Sequence, residues 1–97
     1  MAKPEKHVGY RIEATVVSLQ GKCHAGHKIG DKFEIDCHDT GGMCGFLYHD
    51  IFPTLQMLQF GGGYPADWGN PDIMLLECPD RTNVLKIELR RIKIAED

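Results

Sequence analysis

From Val8 to Leu19 the chain reads VGYRIEATVVSL, rich in β-branched residues and partly alternating, with Tyr10, Ile12, Ala14 and Val16 on one face. That pattern predicts a first strand. A Gly-rich cluster follows, and DKFEIDC then alternates cleanly. Phe33, Ile35 and Cys37 fall on one face and Lys32, Glu34 and Asp36 on the other, which predicts a second strand. After HDTGG the period changes: MCGFLYHDIFPTLQMLQF places apolar residues at 44, 47, 51, 55 and 58, a helical stripe over residues 43–60. Pro53 must kink this helix or begin a second short one. Gly61 is available for a left-handed helix cap ahead of the loop YPADWGNPD. IMLLEC reads as a third strand, Pro79 to Thr82 as a turn, and NVLKIELRRIKI as a long fourth strand whose inner face carries Leu85, Ile87, Leu89 and, beyond them, Ile92.

The order β-β-α-β-β, with two hairpin-like pairings, argues an α+β domain: an antiparallel curved sheet or small open barrel covered by one main helix. A length of 97 residues fits a single domain over 1–97, with 1–6 and 95–97 as disordered tails. At this size a chain buries only somewhat over ~60% of its unfolded surface, so a bound metal or a partner would add noticeably to stability.

Composition narrows the class. Apolar residues make up 42% and charged residues 26%, ordinary for a folded domain and far from the disordered class. The formal charge is −3 and the Lys and Arg residues are scattered, leaving no basic field to attract phosphate backbones; nucleic acid is excluded as an expected partner. No apolar run approaches the ~20 residues that span a bilayer, and the polar start MAKPEKHVGYRIEAT is no signal peptide, so the expectation is a cytoplasmic protein without a membrane partner. In that reducing compartment, the four cysteines are core filler, metal ligands or catalytic groups before they are disulfides.

QGKCHAGHKIGD places Cys23, His24 and His27 in the loop between the first two strands. Cys23 and His27 have a spacing compatible with two zinc ligands, thiolate and imidazole, and two more would be needed. Cys44 stands at the helix start, where the N-terminal field favours a thiolate. Cys78 ends the third strand beside Pro79 and Asp80. Cys37, by contrast, continues the Phe33 and Ile35 face and reads as a small buried apolar residue. Core filler is also open for Cys78, which shares a face with Met74 and Leu76, and for Cys44, which begins the apolar stripe. His24 and His49 read as solvated. One tension stands: a fully extended second strand covers roughly 20 Å and would carry Cys44 to the far end of the sheet from Cys23.

Other motifs fail. GKCHAGHK has the glycines of a phosphate loop but His27 where the lysine belongs, and a strand rather than a helix follows. There is no C-x-x-C. A Cys23–His27 nucleophile pair is formally possible but shows no third orienting group.

The ordered set Cys23, Gly26, His27, Gly30, Asp31, Phe33 and Glu34, then Gly42 and Cys44, then a Gly-Gly-rich loop before Trp68, then Cys78, Pro79 and Asp80 resembles an uncharacterised family of small prokaryotic proteins over nearly the whole chain. The resemblance implies that Cys23, His27, Cys44 and Cys78 belong together, with Cys37, His24, His38 and His49 outside the set. The loop GGGYPADWG departs from the family's tighter Gly-Gly then Pro-Trp form.

Three function classes follow. The leading expectation is a metal-binding domain using Cys23, His27, Cys44 and Cys78 for zinc or iron. A thiol redox or catalytic protein using Cys23 with His27 is the second. The third is an interaction module presenting Tyr64 and Trp68. The expected partner is a protein or a small molecule.

Overall fold

The computed structural model describes residues 9–23, 25–80 and 82–92. The two expected tails, Val8, His24, Arg81 and the last residues of the expected fourth strand lie outside them. Strand β1 is Arg11–Leu19, β2 is Lys32–Ile35, helix α1 is Gly45–Gln59, β3 is Ile73–Glu77 and β4 is Leu85–Ile92. Between α1 and β3 a single 3₁₀ turn, Ala66–Trp68, interrupts what the sequence reads as plain loop. The fold is the α+β arrangement expected: one main helix and an open antiparallel sheet in the order β2-β1-β4-β3. The strands pair within each hairpin, and β1 pairs with β4 between them.

Alternation decides which side chains meet. Ile12, Ala14 and Val16 of β1 and Leu85, Ile87 and Leu89 of β4 are buried, as is Ile35 of β2. They pack against Leu47, Ile51, Leu55 and Leu58 of the helix, the stripe that recurs every three or four residues. Each of the Val, Leu and Ile side chains contributes about 1.5–3 kcal/mol relative to exposure. Cys44 is not in this stripe; it is the N-cap. The helix runs unbroken through Pro53. The lost N–H is one that would have bonded the carbonyl of His49, and both residues are exposed, so that carbonyl is on the solvent side of the helix. At its C-terminus, Gly61 (φ +89) donates to Leu58 O at 3.2 Å and Gly62 to Met57 O at 2.8 Å, the paired bonds of a Schellman stop.

Three details correct the sequence reading. β2 ends at Ile35, and a bridge between Asp36 and Asp39 turns the chain back, leaving Cys37 in the turn rather than on the strand. On β4 the inner position after Leu89 is Arg91, not Ile92: the strand keeps a strict period of two, and Arg91 is only 7% exposed. Tyr10, expected on the buried face, is half-exposed, its ring under the Arg91 guanidinium at 5.4 Å. A further detail matters for the site. The β1–β4 register shifts between Val16 and Ser18, so Val17 is a bulge that changes the parity of the strand. Leu19 therefore faces inward opposite Leu85, and the chain leaves β1 on the helix side.

Candidate functional site

The topology puts both hairpin loops at one end of the sheet. Leu19 pairs with Leu85, Thr15 with Lys32, and Glu77 with Lys86. The end of β1, the start of β2, the end of β3 and the start of β4 are thus neighbours. Cys23 and His27 come from the first loop and Cys78 from the second. The loops are laced together: the Gln20 N–H donates to Val84 O at 2.8 Å and the Lys22 N–H to Asn83 Oδ1 at 2.9 Å. Gly21, at φ +91, lets the backbone approach so closely that a Cβ there would lie 2.3 Å from Asn83 Oδ1.

The helix start reaches the same end because β2 is short. After the Asp36–Asp39 turn the chain runs back beside the strand it has just left. At Gly41 (φ +63) a Cβ would stand 2.1 Å from Glu34 O, so only glycine permits that approach. The return removes the distance that an extended second strand implied. It delivers Cys44, whose N–H donates to His27 Nε2 at 3.0 Å.

Cys23, Cys44 and Cys78 line one cavity of about 60 Å³, with Phe46, Asp80 and Leu85 among the other walls. All three are free thiols, partly buried. Cys23 opens a turn closed by the Gly26 N–H on its carbonyl at 3.0 Å. Cys44 is the helix N-cap, and its thiol makes no capping hydrogen bond. Cys78 lies one residue past β3; its N–H donates to Leu85 O at 2.8 Å, and its sulfur accepts the backbone N–H of Asp80. Burial raises the Cys78 pKa above the usual thiol range. The Asp80 N–H opposes the rise, and the charges of Asp80, Cys23 and Cys44 add to it. Nearby thiolates repel one another, and a cation among them would reverse that repulsion.

His27 stands behind Cys44 rather than in the cavity wall. Its ring packs on Phe33, centroids 4.8 Å apart. Because Nε2 accepts the Cys44 N–H, the ring's proton belongs on Nδ1. Asp80 organises the second loop, its Oδ1 accepting the N–H groups of Thr82 at 2.9 Å and Asn83 at 3.2 Å. The sequence reading singled out Asp80 through Cys-Pro-Asp but missed Asn83, which it took as the first residue of the fourth strand, whereas β4 begins at Leu85. Among the described residues no three His, Cys, Asp or Glu side chains stand as a ready-made metal site. Three sulfurs are the donor type that Zn²⁺ or iron takes.

Cys37 lies elsewhere. It packs on the core from the Asp36–Asp39 turn, and its N–H donates to Oε1 of the buried Gln59 at 3.0 Å. Burial, then Asp36, raises its pKa. His49 is exposed, as expected, and His38 is exposed beside Asp36.

A second feature lies in the Gly-rich loop. Tyr64 and Trp68, 49% and 73% exposed, stack with centroids 5.5 Å apart, beside a shallow groove of about 250 Å³ that also touches Pro65, Pro71 and Met74. No helix among the described residues is long and apolar enough to cross a membrane. No family model matches the chain, and no curated protein or solved structure is significantly similar to it.

Proposed function

We propose that this protein is a small metal-binding domain that holds zinc or iron through Cys23, Cys44 and Cys78, with His27 part of the site. The observation that carries the reading is the meeting of three cysteines, from two hairpin loops and a helix N-terminus, in one cavity. Three sulfurs from separate chain segments around one cavity supply the soft donor set that such cations take.

The thiol-nucleophile reading has less support. It needs an imidazole poised to take a thiol proton, and His27 Nε2 is spent on the Cys44 N–H. The interaction reading rests on the exposed Tyr64–Trp68 pair and has no residue chemistry beyond it.

The test is elemental analysis of protein purified without oxygen, with thiols counted before and after a chelator. The expected result is about one metal per chain by this three-sulfur stoichiometry, with three thiols protected until the metal is removed. Four thiols reacting rapidly in metal-free protein that takes up no added zinc would overturn the reading.

A further inference from the structure

The metal reading leaves the fourth ligand unassigned, and the geometry around His27 bears on it. Its Nε2 already has a partner, the backbone N–H of Cys44 at 3.0 Å, and its ring is held against Phe33. The cavity wall does not include it. Releasing Nε2 to reach an ion would free a partly buried N–H at the N-cap, a loss of the kind that costs about 1–3 kcal/mol. Asp80, the carboxylate in the wall, already accepts from Thr82 and Asn83, and Asn83 Nδ2 donates to its second oxygen at 3.2 Å. It is committed to shaping the turn.

Asn83 Oδ1, also in the wall, accepts the Lys22 N–H at 2.9 Å, so the side-chain donors left to the cavity among the described residues are the sulfurs of Cys23, Cys44 and Cys78. Its floor is Leu85, 1% exposed, whereas Phe46 on its rim is 67% exposed. Ala25, also in the wall, is exposed. The cavity therefore opens to solvent between the Cys23 turn and the first turn of α1.

We propose, building on the metal reading, that the site is an open three-sulfur centre: Cys23, Cys44 and Cys78 ligate one divalent thiophilic cation, and its fourth position faces the rim between Ala25 and Phe46, where it takes a small neutral ligand. His27 is a positioning residue that fixes Cys44 through its backbone N–H. Three protein ligands with one open position is the arrangement of zinc sites that exchange ligands, whereas purely structural sites are closed by four. The charges choose the ligand. Three thiolates, formed with the release of three protons, leave a divalent cation at a net charge of −1, and Asp80 stands in the same wall. An anion at the fourth position would add like charge to a poorly solvated cavity. A neutral nitrogen donor or water adds none.

Co²⁺ as the spectroscopic probe, with imidazole as the neutral ligand, tests both parts on the full chain. Wild type is expected to bind Co²⁺ with three sulfurs by X-ray absorption, and added imidazole should shift its visible spectrum. His27→Gln, which keeps an acceptor for the Cys44 N–H, should retain the three-sulfur spectrum, the imidazole response and an affinity within a few-fold of wild type. His27→Ala should bind about 10–100-fold more weakly, the usual penalty for losing an orienting partner, with an unchanged sulfur count. A wild-type site of three sulfurs and one histidine nitrogen that ignores imidazole, together with loss of that nitrogen in His27→Gln, would overturn the inference and leave the metal reading standing. Failure of wild type to bind Co²⁺ or Zn²⁺ at all would bring down the metal reading itself and this inference with it. Near-UV circular dichroism of the metal-free variants separates misfolding from altered ligation.

Discussion

The two ends of β4 are built in opposite ways. At the far end Arg91 is buried, and its guanidinium makes four hydrogen bonds and an ion pair. Nε and Nη2 reach Asp72 Oδ1 at 2.9 and 2.8 Å. Nη1 donates to Leu58 O at 3.0 Å and Gly62 O at 2.6 Å, and Nη2 reaches Pro71 O at 3.4 Å. Leu58 and Gly62 lie at the C-terminus of α1, where orphan carbonyls attract a cation. At the near end, Leu85 floors a cavity whose walls carry three thiols. One end is a finished network that ties helix to sheet. The other leaves sulfur donors around a space. A closed network serves the fold, and the thiol-lined space is where the proposed metal would sit.

Breaking the closed end should have the largest effect. Arg91→Ala removes the guanidinium that Asp72, Leu58 O and Gly62 O share, and losing one partner of a buried pair costs about 3–5 kcal/mol. In a domain of this size that corresponds to a fall in Tm of about 12 °C or more. Arg91→Lys, which keeps the charge but not the fork, should fall between the two. Thermal denaturation reads both; a loss under about 1 kcal/mol for Arg91→Ala would mean that the network is dispensable.

Gly41→Ala comes next and links the two ends. Its left-handed φ alone costs an L-residue roughly 1–2 kcal/mol, and the new Cβ would meet the backbone of Glu34. The expected outcome is a destabilisation of about 2 kcal/mol or more, with Cys44 alkylating faster as the return segment moves away. Unchanged stability would show that the segment has room to shift.

At the open end the expectation reverses. Replacing Cys23, Cys44 and Cys78 one at a time by Ala in metal-free protein should change stability by only about 1 kcal/mol each. Each change should nonetheless abolish tight metal uptake, read by zinc titration. Three variants that bind zinc like wild type would separate the cavity from any metal role.

The smallest effect concerns Cys37, the thiol that belongs to neither end. Cys37→Ala should leave metal content and the reactivity of the other thiols unchanged. Its pKa is raised by burial and by Asp36, so the folded state holds that proton more tightly than the unfolded chain. The resulting contribution to stability is complete below the unfolded thiol pKa and is lost as pH rises through the raised folded value. Wild type should therefore lose stability relative to Cys37→Ala across that alkaline window. Parallel stability curves for the two proteins would contradict the assignment.

The strands, the helix and its glycine stop were legible in the chain because alternation and the 3.6-residue stripe are local periodicities, set by backbone geometry. Even Arg91 was implied by the strict alternation of β4. Expecting Ile92 inside instead followed the hydrophobicity of the residue against the parity of the strand. The grouping of Cys23, Cys44 and Cys78 was another matter. Local pattern suggested each cysteine separately and offered core filler as an equal account for two of them. Their meeting depends on where β2 stops, on a bulge at Val17 that turns Leu19 inward, and on a glycine at 41 that lets the chain double back against Glu34. The sequence by itself determined which elements form and which side chains carry the chemistry, since each needs only its near neighbours along the chain. The tertiary structure decided which of those side chains share a cavity and placed His27 behind Cys44 rather than beside the other sulfurs, because that outcome depends on close approaches between segments that no local periodicity encodes.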